Sequence, residues 1–138
     1  MSRRENPSVF AMGKKLPEMF SEYFIGQAYL QPLTDRGGPI VNVTFEPGCR
    51  NNWHIHHKGG QILLVTGGKG WYQAWGEAAK ELHSGDIVSI SPGVKHWHGA
   101  TADSWFSHLA MEIPAEGASV EWLEAVSDET YNSIKNQK

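Results

Sequence analysis

Cysteine is nearly missing from this chain of 138 residues. Cys49 stands alone, so a disulfide framework is excluded and a reducing cytoplasm is the expected setting. Long apolar runs are missing as well: none reaches the roughly 18 residues that a membrane-spanning helix needs. The start, Met1-Ser2-Arg3-Arg4-Glu5-Asn6-Pro7, has two basic residues but no apolar stretch behind them, and does not read as a secretory signal. Nor is there an excess of positive charge. Lys and Arg number 12 against 15 Asp and Glu, for a net charge of −3, with no basic cluster and no helix-turn-helix pattern. Nucleic acid is therefore not an expected partner.

What the chain does have is glycine, histidine and tryptophan: 15, seven and six residues. Its length fits one domain with a sizeable core. Short apolar stretches are separated by turn signals about every 8–12 residues, the pattern of an all-β barrel or sandwich. Ile40–Phe45 alternates cleanly, with Val41, Val43 and Phe45 on one face. Further strands are expected over 23–33, with Pro32 ending it, and over 53–57, 61–66, 71–75, 79–82, 87–90, 96–98 and 104–113. Turns are expected at Glu46-Pro47-Gly48, Lys58-Gly59-Gly60, Thr66-Gly67-Gly68-Lys69-Gly70 and Ser91-Pro92-Gly93. The stretch 120–126 fits either strand or helix. Ser127 is a good N-cap, with Asp128 and Glu129 behind it, for a terminal helical turn or two. Pro17 suits the start of one helical turn over 16–21. The division expected is an N-terminal arm over 1–22, polar, without periodicity and loosely held over 1–15, a barrel over 23–126 and a helical tail over 127–138.

The candidate site lies in Trp53-His54-Ile55-His56-His57-Lys58-Gly59-Gly60-Gln61. On a strand, residues two apart share a face, so His54 and His56 project together and Ile55 opposes them. The Lys58-Gly59-Gly60 turn would bring Gln61 alongside. His96-Trp97-His98 repeats the alternation, placing Trp97 on the face opposite to His96 and His98. Imidazoles from His54, His56 and His96 with the amide oxygen of Gln61 make a nitrogen and oxygen set suited to a divalent transition metal. The alternative is a polar interior in which the histidines satisfy one another. His57 and His83 fall in or beside turns and read as surface residues, and Cys49 as a buried, inert thiol.

These clusters resemble the two motifs of the cupin superfamily, a small jelly-roll β-barrel. The first is carried by Gly48, His54, His56, Gln61 and Gly68, and the second by Gly85, Gly93 and His96, at the family's gaps. Two positions depart from it: Gln61 stands where glutamate is usual, and the proline lies directly before Gly93, as Pro92. The run from Ser91 to Ala100, with His108, Trp122 and Ser127-Asp128-Glu129, is similar to small single-domain cupins related to carboxymuconolactone decarboxylase-associated domains. Some bacterial members of that group are manganese-dependent hydroxynitrile lyases.

The resemblance implies a single-domain jelly-roll cupin barrel with metal ligands His54, His56, Gln61 and His96. Manganese is favoured, with iron, zinc or nickel as alternatives. His98 shares a face with His96, and the resemblance turns His108 inward, so both are candidates for proton transfer. With Gln61 in place of a carboxylate the ligand set carries no negative charge, which suits Lewis-acid rather than redox chemistry. The expected function is a metal-dependent, lyase-type enzyme acting on a small molecule. A cupin dioxygenase and a non-catalytic small-molecule-binding cupin are the alternatives. A homodimer or higher homo-oligomer is expected, with the segment 23–33 a strand that could serve a partner's sheet.

Overall fold

In a computed structural model the chain is described over residues 6–34, 36 and 39–134. Residues 1–5 of the expected arm, Asp35, Gly37 and Gly38 of the loop before Ile40, and residues 135–138 of the tail lie outside the described residues. The elements, in chain order, are β1 (Lys14–Lys15), α1 (Glu18–Ser21), β2 (Phe24–Ile25), β3 (Ala28–Thr34), β4 (Ile40–Phe45), β5 (Arg50–Asn51), β6 (His54–His57), β7 (Gln61–Ala74), β8 (Lys80–His83), β9 (Ile87–Ile90), β10 (His96–Ala100), β11 (Phe106–Glu112), β12 (Ser119–Trp122) and α2 (Asp128–Ser133). Among the described residues no helix is long and apolar enough to cross a membrane.

The strands pair antiparallel into two sheets that share β7. Its first half lies between β11 and β9, and β11 leads on through β4 and β3 to β1. Its second half lies between β10 and β8, and the far side of β10 carries β5 and β6, which hold β2 and β12. The result is the expected all-β jelly roll. Val43, Phe45, Val65 and Phe106 meet inside it.

Three sequence expectations need correction. The glycines over 66–70 do not make a turn: β7 runs through them as one strand of 14 residues. They serve as the point where the strand bends from one sheet to the other and lets neighbours close in. A Cβ on Gly68, at φ +75°, would lie 1.8 Å from the carbonyl oxygen of Trp105, and one on Gly70 would lie 2.5 Å from the Phe106 ring. Pro32 does not end its strand but lies inside β3. It can do so because β1 pairs with β3 only at Tyr29 and Leu30, so no ladder hydrogen bond is needed from position 32 on that side. β3 is also paired within its own chain to β4. Finally, residues 6–15 are not loose. Met12 is buried, Lys14–Lys15 form a strand, and the Ala11 carbonyl accepts a hydrogen bond from Asn42 Nδ2 at 3.0 Å.

That last contact explains why the polar face of β4 is not in water. Asn42, Thr44 and Ser107 are fully buried beneath residues 8–11. Ser107 Oγ donates to Asn42 Oδ1 at 3.0 Å and Thr66 Oγ1 to Ser107 Oγ at 3.0 Å. The group satisfies itself, as buried polar atoms must.

At the other end the ambiguous stretch 120–126 is strand only to Trp122 and irregular beyond it, and α2 is capped as expected, Thr130 N–H donating to Ser127 Oγ at 3.1 Å. Trp97 points away from the cavity, as its parity requires, and is wholly buried against Val126, Tyr131 and Ile134. Arg50 clamps this tail. Its guanidinium donates to the Val126 carbonyl at 2.9 Å and to Asp128 at 2.7 Å, and it lies 4.3 Å over the Tyr131 ring.

Two glycine variants separate backbone strain from steric contact. Gly48 has φ +82° and open space where a methyl group would stand, so Gly48→Ala should cost only the left-handed penalty of about 1–2 kcal/mol. Gly68→Ala adds the collision with Trp105 and should lower stability clearly further. Urea unfolding of both variants checks the order; equal losses would show that β7 does not bend against Trp105 here.

Candidate metal centre

Strand alternation sends His54 and His56 into the barrel from β6, and the antiparallel register sets His96 of β10 directly opposite His54. One ring nitrogen from each of the three lies within 4.8 Å of the other two. The Lys58-Gly59-Gly60 turn forms with positive φ at all three residues. It is not a hairpin turn, because β7 pairs with β11 and β9 over its first residues and not with β6. Gln61 therefore arrives from the other sheet, beside Glu112 of β11.

The hydrogen bonds of these side chains define which atoms are left over. His54 Nδ1 lies 2.8 Å from the Asn52 carbonyl oxygen and His96 Nδ1 lies 2.9 Å from that of Val94. A carbonyl can only accept, so in each ring Nδ1 carries the proton and Nε2 keeps a lone pair. Gln61 Nε2 donates to Glu112 Oε2 at 2.6 Å, which turns Oε1 the other way. His96 Nε2, Gln61 Oε1 and both ring nitrogens of His56 are buried with no hydrogen-bond partner. Orphaned buried acceptors from two imidazoles and an amide, beside the free Nε2 of His54, are rare without a reason, and this donor set fits a divalent transition metal. His54, His56 and His96 are thus brought together, and Gln61 lines the same cavity as His54 and His56.

Electrostatics favour the neutral, ligating form. Burial, then the neighbouring His96, holds His54 well below the usual imidazole range, and burial pulls His96 down to about 4. The same cause acts deeper in the barrel on the two proton-transfer candidates. His98 is held well below the usual range by burial and then by His108, and burial lowers His108 to about 4. Their rings meet edge to face with centroids 5.0 Å apart.

Sequence reasoning missed two polar residues at this site. Asn51 accepts from the His98 backbone N–H through Oδ1 at 3.0 Å and places Nδ2 at 3.2 and 3.3 Å from the His98 ring nitrogens. The irregular stretch between β5 and β6 hid its parity. Glu112 was legible: it lies two alternations beyond His108 on the same strand face, but an acid at a strand end reads as solvated. His57 and His83 are on the surface, paired with Glu121 at 2.7 Å and Glu81 at 3.2 Å. Cys49 is fully buried and its thiol is pushed up by burial, which leaves it inert.

The histidines close one end of a cavity of about 320 Å³. Its other walls are apolar, from Phe20, Phe24, Val41, Val43, Val120 and Trp122, and no lysine or arginine lines it among the described residues.

Because these histidines are held neutral in the fold, the unfolded chain takes up protons that the folded chain refuses. Stability of chelator-treated protein should be full above the ordinary value of 6.5 and fall as pH drops toward about 4, where His96 and His108 titrate in the folded state. Each contributes up to about 1.4 kcal/mol per pH unit over that window. Thermal unfolding across it should show a falling midpoint, and His108→Leu a shallower fall; an unchanged slope in the variant would contradict neutral burial of His108.

Comparison with known proteins agrees with this geometry. The family model described as a cupin domain matches residues 41–109. The chain is 44% identical over 115 residues to a protein of Granulicella tundricola named (R)-mandelonitrile lyase, covering 80% of this chain and 87% of that one. A cupin-like protein of Thermotoga maritima superposes with a TM-score of 0.85 at 37% identity, covering 95% of this chain and 99% of its own. A predicted oxalate decarboxylase of the same organism shares the fold alone, with a TM-score of 0.64 at 18% identity over 74% of this chain and 91% of its own. The jelly roll, the histidine cluster and these likenesses together place the chain in the cupin family.

Proposed function

We propose that the chain is a metal-dependent lyase that cleaves cyanohydrins of aromatic aldehydes to the aldehyde and hydrogen cyanide, and runs the reverse addition. The observation that carries this reading is a set of partnerless ligand atoms at the polar end of an apolar cavity, beside two neutral imidazoles. The name of the Granulicella tundricola relative supports the reaction class. His54, His56, Gln61 and His96 would hold a divalent ion, manganese being favoured by the family resemblance and iron, zinc or nickel the alternatives. When bound, such an ion supplies Lewis acidity toward a substrate oxygen.

The chain's own residues do the rest. The apolar walls, with Phe24 and Trp122 among them, take the aryl ring and exclude water. The absence of a lysine or arginine among the described lining residues, and the presence of Glu112, favour an uncharged substrate over a carboxylate or phosphate. His108 takes the hydroxyl proton. Both its ring nitrogens lack a hydrogen-bond partner, and its depressed pKa keeps it neutral at physiological pH. As that proton leaves, the oxygen's electron pair forms the carbonyl and the carbon–cyanide bond breaks, its pair departing on cyanide. Cyanide then takes that proton back from the His108 imidazolium and leaves as hydrogen cyanide, which returns His108 to its neutral form. A ring nitrogen of neutral His98 accepts from Asn51, so its other nitrogen carries an N–H that can donate a hydrogen bond to the departing group without giving up the proton.

Manganese-loaded protein should release benzaldehyde from mandelonitrile, with His108→Ala slower by roughly 10²–10⁴-fold and His96→Ala lacking metal-dependent turnover. The rate should be the same with and without oxygen. Failure of the loaded protein to cleave any of a panel of aryl cyanohydrins would sink the lyase reading. Oxygen uptake with a phenolic substrate would favour the dioxygenase alternative, and binding without turnover the non-catalytic one.

A further inference from the structure

We propose that Glu112 is a positioning residue: its one carboxylate decides which atom of Gln61 and which nitrogen of His56 face the metal centre. The proposal rests on the metal reading above and adds a role for a residue outside the ligand set.

Gln61 is the first residue of β7, and its partner in the antiparallel ladder is Glu112, the last residue of β11. Paired residues in such a ladder point to the same side and touch. Glu112 Oε2 accepts from Gln61 Nε2 at 2.6 Å, while Oε1 of the same carboxylate stands 3.4 Å from His56 Nδ1. The side chain of Glu112 is 45% exposed and that of His56 only 5%, so the carboxylate sits at the rim and reaches in.

Two ambiguities are removed by this one group. A carboxamide has nearly the same shape either way round, so packing cannot choose which end faces inward. An ionised carboxylate only accepts hydrogen bonds. It captures the amide N–H and leaves Oε1 buried and partnerless toward the imidazoles. The second ambiguity is the tautomer of His56. In His54 and His96 the backbone carbonyls of Asn52 and Val94 hold the proton on Nδ1. His56 makes no hydrogen bond at either nitrogen. The carboxylate facing Nδ1 favours the proton there and frees the lone pair of Nε2. A consequence follows for charge. The expected ligand set is neutral, yet a negative group touches one of its members and faces a second, so the centre is not free of nearby anionic charge.

The test compares wild type, Glu112→Gln, Glu112→Ala and His96→Ala. In Glu112→Gln the new amide can still accept from Gln61, but it then turns N–H groups toward His56 Nδ1. Two readouts are taken. Long-range ¹H–¹⁵N NMR of chelator-treated protein reports the His56 tautomer without any ion. Calorimetric titration with manganese(II) reports affinity, and thermal unfolding reports the fold. We expect wild-type His56 to carry its proton on Nδ1 and Glu112→Gln to move it to Nε2. Manganese affinity should fall by roughly 10–100-fold in both Glu112 variants, with unfolding midpoints near wild type. A His56 tautomer unchanged in Glu112→Gln, or affinity within about twofold of wild type in both variants, would overturn the proposal. If wild type and His96→Ala bind manganese equally poorly, the metal reading fails by itself, and the tautomer measurement still decides the role of Glu112.

Discussion

Desolvation of imidazole is the constraint on which the rest of the structure depends. His54, His56, His96, His98 and His108 are all buried at one end of an otherwise apolar barrel. Water cannot pair with their nitrogens there, and an unpaired buried polar atom costs about 1–3 kcal/mol. His54, His96, His98 and His108 are therefore held toward the neutral form, and each free nitrogen of the five rings must find a partner or stand as a ligand. Backbone carbonyls settle the proton of His54 and His96, and Asn51 addresses His98. The nitrogens of His56, His96 and His108 and the oxygen of Gln61 remain unpaired, and they are the atoms on which the proposed metal centre and proton transfer rest. The register of β6 against β10 sets His54 opposite His96, and that of β11 against β7 sets Gln61 opposite Glu112.

The same constraint shapes the chemistry. Burial keeps His54, His96, His98 and His108 in the state that ligates or accepts a proton at neutral pH. The cavity beyond them is apolar, so a bound molecule would present its polar end to the histidines and its hydrocarbon end to Phe24, Val43 and Trp122. Outside the barrel, the polar face of β4 meets residues 8–11 and Trp97 meets the C-terminal segment. The terminal segments are thus part of the wall that keeps water from both faces of the sheets, rather than appendages to it.

Much of this was legible in the sequence because it follows from period two. His54 and His56, His96 and His98, and the outward Trp97 are placed by alternation alone, and Ser127 announces its cap by residue type. The misreadings share a cause: one residue type serves two backbone tasks. Glycine marks a turn, but Gly67, Gly68 and Gly70 mark a bend through which β7 continues. Proline ends most strands, but Pro32 survives where the neighbouring strand has already stopped. Alternation puts Asn42 and Thr44 on the face opposite Val41, Val43 and Phe45, and the chain folding back over that face makes them core. Glu112 depends on a contact 51 residues away in sequence, with Gln61, which no local pattern carries.

The most direct measurement is the metal content of tag-free protein by mass spectrometry, beside a His96→Ala control. About one transition-metal ion per chain, lost in the variant, is the expected result and would also name the ion. No bound ion in wild type after reconstitution with manganese, iron, zinc and nickel, or equal content in the variant, would contradict a metal centre built on His54, His56, Gln61 and His96.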